Sequence, residues 1–156
     1  MTDRKPPRLT GDERVTLLSL LGYQRDSFAR KLSGVTEAEA AASPVPSGTS
    51  LLWLAKHMAD AEVNWVLRRF LQRSEGWSDQ GHASTLGKAM ARYRRICSQV
   101  DDVLTRETTL DALCPDFDGG PSVNLRWILA HLLEETARHA GHADILRELI
   151  DGSIGR

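Results

Sequence analysis

Between Ser50 and Gln72 apolar side chains fall on almost every side of a helix: Leu51, Leu52, Leu54, Ala55, Met58, Ala59, Ala61, Val63, Trp65, Val66 and Phe70. A helix that is apolar nearly all round must be buried among other elements. A chain with such a segment needs several partners to surround it, and three more stretches supply them.

Helix one is expected from near Thr10, where Thr10 and Glu13 read as a capping box. Val15, Leu18, Leu21, Phe28 and Leu32 follow with a helical period, and Gly34 is a natural stop. Thr36 to Ala42 reads as a short helical turn with its own capping box, Thr36 and Glu39, and 43–48 (Ser-Pro-Val-Pro-Ser-Gly) as a linker. Residues 74–83 read as a loop. Helix three is expected over Ser84 to Thr105, with Leu86, Met90, Tyr93, Cys97, Val100 and Leu104 on one stripe. The loop 115–122 carries Asp116 and Asp118 like the opening of a calcium loop. Its twelfth position would be Trp127 rather than Glu, so calcium is excluded. Helix four runs from Val123 to Ile150, capped by Ser122 or Asn124 and stopped by Gly152. No stretch reads as a strand. The expectation is an all-α, four-helix bundle with long inter-helix loops, one domain over 1–156 with 1–9 as a flexible N-terminal segment.

Composition excludes several functions. The net charge is −1, which provides no global basic field for nucleic acid or for a membrane surface. No apolar run approaches the ~20 residues needed to cross a bilayer. The N-terminus has no apolar signal region, so the expected location is cytoplasmic. Cys97 and Cys114 lack CxxC spacing, which argues against a disulfide scaffold and a cysteine zinc site. Cys97 is expected as a core thiol, whereas Cys114 falls in a loop where it can be exposed.

Histidine placement carries the chemistry. Three of five histidines, His131, His139 and His142, fall in helix four. With His131 at zero, His142 lies near 20°, Glu135 near 40° and His139 near 80°, at about 100° per residue. The apolar face of that helix, Ile128, Leu132, Ala143, Leu146 and Ile150, spans about 60° to 120° on the same scale. Glu135 and His139 therefore point inward, and His131 and His142 lie nearer the rim. The i, i+4 spacing puts the Glu135 and His139 heads one turn apart on one face. His57 borders the core face of helix two and can supply a third ligand. Two imidazoles and a carboxylate suit zinc and other first-row divalent ions, and three protein ligands leave positions open for substrate. Against this, a core-border histidine is commonly a hydrogen-bonded structural residue, and Glu-xxx-His pairs are commonly surface ion pairs. Glu62, near 140° from His57 by the same count, falls among apolar neighbours and needs a partner, most simply an arginine of another helix. Trp53, Trp65, Trp77 and Trp127 read as core or pocket wall. Arg68, Arg69 and Arg73 read as a solvated, dipole-matched helix end.

The segment Leu54-Ala-Lys-His-Met-Ala-Asp-Ala-Glu-Val-Asn-Trp65 resembles the helix-two motif of the DinB/YfiT-like proteins. Trp127-Ile-Leu-Ala-His-Leu-Leu-Glu-Glu-Thr-Ala-Arg-His-Ala-Gly-His-Ala-Asp144 resembles their helix-four motif, with similarity to the actinobacterial "mini-circle protein" branch. The resemblance implies a four-helix bundle that binds a divalent metal, zinc first and nickel or manganese as alternatives. Carried over, the ligands are His57, Glu135 and His139, with Glu135 replacing the commoner histidine as in the mycothiol-dependent maleylpyruvate isomerase branch. His131 and His142 are alternative ligands or supporting groups, and His142 a proton shuttle. The resemblance also implies a metal-dependent transfer of a low-molecular-weight thiol to an electrophilic small molecule. Arginine outnumbers lysine 16 to 4, which hints at an actinobacterial source and so at mycothiol. A homodimer is expected, and no nucleic acid or membrane partner. The alternatives are a non-catalytic metal- or ligand-binding stress-related domain and a metal-assisted hydrolase.

Overall fold

The computed structural model describes residues 5–73, 83–115 and 119–154. Its helices are α1 (Glu13–Lys31), α2 (Glu37–Ala41), α3 (Leu51–Glu62), α4 (Leu86–Arg106) and α5 (Leu125–Asp151). Side-chain oxygens set where they start. Asp12, not Thr10, caps α1: its carboxylate accepts from the Val15 amide at 2.8 Å, so the helix begins two residues later than expected. Thr36 and Glu39 form the expected capping box of α2. Ser50, Thr85 and Asn124 cap α3, α4 and α5. Gly152 ends α5 at φ 73°, a left-handed conformation that glycine adopts without steric cost. Among the described residues the bundle is all-α apart from one hairpin of two two-residue strands.

That hairpin corrects the expectation of no strand. Short strands β1 (Leu113–Cys114) and β2 (Val123–Asn124) pair antiparallel, Leu113 opposite Asn124 and Cys114 opposite Val123. Strand alternation turns Leu113 outward and Cys114 inward, so Cys114 is buried rather than exposed. The hairpin also takes Val123 and Asn124, which moves the start of α5 to Leu125. The loop acids Asp116 and Asp118 lie outside the described residues, as does Trp77.

Helix two is not one regular helix. After Glu62 the chain passes into a π-helical segment, Val63–Phe70. The wider turns of a π-helix shift side chains off the α-helical register, and such segments are frequent at functional sites.

The core is divided along the bundle axis. One apolar cluster joins Phe28, Leu51, Leu54, Met58, Tyr93 and Leu146. The other joins Leu21, Val63, Val66, Ile96, Leu129 and Leu132. Between them lies a polar layer: Arg25 of α1, Glu62 of α3, and Thr136 and His139 of α5, all buried. Arg25 meets Glu62 in a bidentate pair, Nε to Oε1 at 2.6 Å and Nη2 to Oε2 at 2.7 Å, and reaches Asp101 of α4 at 2.7 Å. The arginine most simply expected to partner Glu62 is therefore Arg25. One cation ties three helices together at the level of the candidate site. Among the described residues, no helix is long and apolar enough to cross a membrane.

Candidate metal centre

Facing each other across the bundle, α3 and α5 bring His57, Glu135 and His139 together. One ligand atom from each lies within 4.8 Å of the others. His57 Nε2 donates to Glu135 Oε1 at 3.0 Å, and His139 Nε2 donates to the same oxygen at 3.2 Å. The i, i+4 step on α5 aligns Glu135 with His139, and only tertiary packing adds His57. His139 is buried, while the His57 side chain is 33% exposed. The centre is thus open on the His57 side and closed on the other.

Its electrostatics suit a cation. Burial raises the pKa of the Glu135 carboxyl, but the hydrogen bond from His57 and the charge and hydrogen bond of His139 outweigh it, leaving it below its ordinary value. Burial, with the charge of His57, holds His139 below its ordinary value despite Glu135. An ionised carboxylate and a neutral imidazole at pH 7 are the ligand forms a divalent ion needs. Around a tetrahedral ion with bonds of about 2.1 Å, ligand atoms sit about 3.4 Å apart, so this trio needs only sub-ångström to ångström adjustment. The residues present therefore fit a divalent metal of the zinc class.

Aromatic neighbours pack against these side chains. The Trp53 ring stacks on His57, centroids 4.9 Å apart and planes 7° apart. It also meets the His139 ring at 6.3 Å. Sequence reading assigned Trp53 only to core or wall; its i, i+4 spacing to His57 is the signal that points to the stack. Trp53 remains 47% exposed, so it is wall rather than core. Farther along α5 a second aromatic group forms: Trp127 stacks on His131, centroids 5.0 Å apart, and Trp65 meets both. Arg69 lies over the Trp65 ring at 4.3 Å, so this part of the basic cluster has an aromatic partner. His131 belongs to that group rather than to the ligand trio.

His142 lies outside the trio too. Its Nδ1 is 3.2 Å from His139 Nδ1, on the far side of that ring from Glu135. Its own ring lines a pocket of about 310 Å3 between the 43–50 linker and α5. A second pocket, of about 340 Å3, lies between the π-helical segment and α4 and contains none of these residues.

Neither thiol competes for the chemistry. Burial, then the Glu62 charge, pushes Cys97 up to about 12. Because that value lies above the unfolded one, Cys97 contributes stability below pH 9 that is lost as pH rises toward 12. Iodoacetamide at pH 8 is expected to leave native Cys97 unlabelled over a time that fully labels the denatured chain; rapid native labelling at Cys97, read by peptide mass spectrometry, would contradict its assignment as an inert thiol.

A profile of the family described as mycothiol-S-transferase matches residues 16–152, a span that holds the trio, His142 and both aromatic groups. The chain belongs to the mycothiol-S-transferase family. The DinB/YfiT-like resemblance read from the two helical motifs agrees with this membership. A crystal structure described as the conserved protein of locus from Enterococcus faecalis is similar in fold, with a TM-score of 0.67 and 18% identity. The similarity covers 92% of this chain and 100% of that one. No curated protein sequence matches. In this mycothiol-S-transferase family member, every residue of the trio lies on a regular α-helix rather than on a loop, which favours a rigid site.

Proposed function

We propose that this protein is a divalent-metal-dependent enzyme that joins a low-molecular-weight thiol of the mycothiol type to an electrophilic small molecule. The observation that carries the reading is the convergence of His57, Glu135 and His139 in a chain of this family. His57 and His139 through Nε2, and Glu135 through Oε1, are the groups that would hold the ion. A divalent ion there supplies the positive charge that lowers the pKa of a thiol.

The protein's own groups do the rest. Glu135 offsets part of the ionic charge, and Trp53 orients the His57 ring by stacking on it. With an ion on Nε2 of His139, the single proton of its neutral ring would sit on Nδ1 and would be donated to His142 Nδ1, 3.2 Å away. That leaves His142 with a proton on Nε2, available to the pocket its ring lines. His142 is therefore placed to hydrogen-bond a departing group. In the overall transfer a carbon–sulfur bond forms, and the bond from carbon to the leaving group breaks with its electron pair. The thiol proton passes to solvent.

Purified protein, mycothiol and 1-chloro-2,4-dinitrobenzene, followed by mass spectrometry, test this. The expected result is a thioether whose formation falls about a hundredfold on metal removal, since loss of a Lewis acid costs several kcal/mol. 2,4-Dinitrophenol and chloride formed from water in the absence of thiol, and lost on metal removal, would replace the reading with metal-assisted hydrolysis. No product from any electrophile offered would favour a non-catalytic binding domain.

A further inference from the structure

The pocket beside His142 has a lining that selects its occupant. Val45, Ser47 and Thr49 come from the linker before α3, and His142, Ile145 and Leu146 from α5. None of these carries a fixed charge. The two hydroxyls are already engaged with each other, Ser47 Oγ to Thr49 Oγ1 at 3.0 Å. Ser43 braces the same wall by donating to the Val45 and Thr49 carbonyls at 2.9 and 2.8 Å. The wall is therefore preformed and has few hydrogen bonds to offer. Ile145 is 59% exposed, an apolar surface that an occupant would cover.

Location adds the second argument. His142 lines this pocket, and its Nδ1 is 3.2 Å from His139 Nδ1. An occupant there lies next to the trio. The pocket between the π-helical segment and α4, by contrast, is lined in part by Arg73, Asp102, Arg106 and Glu107 and by none of the trio.

From this lining and position we infer that the pocket binds the uncharged, apolar body of the electrophile, and that the natural electrophile is a small neutral molecule. The inference rests on the proposed thiol transfer for the word electrophile; the binding preference itself does not. At about 310 Å3 the pocket holds the volume of roughly ten waters, hence a molecule of roughly ten heavy atoms. A polyhydroxylated thiol would leave its hydroxyls unpaired against this lining, so the thiol does not belong here.

The test uses an unreactive matched pair, 1,3-dinitrobenzene and 3,5-dinitrobenzoate, titrated into the purified protein without thiol and followed by amide NMR. The neutral probe is expected to move the Ser47, Thr49 and Ile145 amides, and the carboxylate to bind at least about ten-fold more weakly. Ile145→Asp is expected to weaken the neutral probe at least about ten-fold with metal content unchanged. Ser47→Phe, which fills the pocket from an exposed position, is the second variant if the first misfolds, and it should abolish the shifts. Equal binding of both probes, or shifts centred on Phe70 and Val103 instead, would overturn the inference. Because no turnover is read, a protein that binds the neutral probe but transfers no thiol would sink the proposed function and leave this pocket assignment standing.

Discussion

Replacing His139 by alanine is expected to abolish stoichiometric metal binding while leaving a folded bundle. Protein purified without a histidine tag should contain about one zinc, nickel or manganese ion per chain, and the variant less than about a tenth of that. The loss is large because only two of three protein ligands remain, and Glu135 then keeps a single imidazole partner, His57. The fold should survive because His139 sits in the polar layer, where His142 and the half-exposed Trp53 border it, rather than within either apolar cluster. Elemental analysis and circular dichroism on the same samples read both outcomes. His57→Ala, at a more exposed position, should behave alike. A His139→Ala protein that keeps full metal at the trio would remove His139 from the ligand set and with it the proposed mechanism.

Glu62→Ala is expected to cost about 3–5 kcal/mol of stability, the range for removing one partner of a buried ion pair. Glu62 is fully buried, and its loss leaves the Arg25 guanidinium inside the bundle. Burial alone would lower the pKa of Arg25, yet Glu62 and Asp101 raise it above its ordinary value. The remaining partner, Asp101, is 61% exposed, so water screens what it can return. Arg25→Met with Glu62→Leu should recover most of the loss, since matched apolar replacements of a buried pair are near neutral or stabilising. Chemical denaturation measures both. A single-variant loss below about 1 kcal/mol would show that the polar layer is solvated and does not bind the helices together. Metal content unchanged in the double variant would separate this structural layer from the centre beside it.

Much of the site was legible because helical geometry is local. The i, i+4 step from Glu135 to His139 follows from the helix itself, and the apolar stripe of α5 turns both inward. His57 was legible as a core-border histidine, and the two motif segments carried the DinB/YfiT-like resemblance. What failed is equally specific. Asp12 replaced Thr10 as the cap of α1, because either side chain offers an acceptor and only the backbone path decides which reaches the Val15 amide. Apolar residues from Ser50 to Gln72 read as one α-helix, whereas the chain is π-helical over Val63–Phe70. A two-residue strand leaves no periodic signal, so nothing local marks Cys114 as facing inward.

The sequence by itself determined the helices in outline and the pairing of Glu135 with His139, since each depends on residues within a few positions of one another. Tertiary structure alone decided that His57 Nε2 reaches the carboxylate of Glu135, that Arg25 is the partner of Glu62, and that the 43–50 linker packs beside His142 and Ile145 to form a neutral pocket. Those contacts join residues 37 and 78 positions apart across different helices, or a linker to a helix. Their geometry depends on how two helices approach and rotate against each other, and periodicity within one helix carries no information about that.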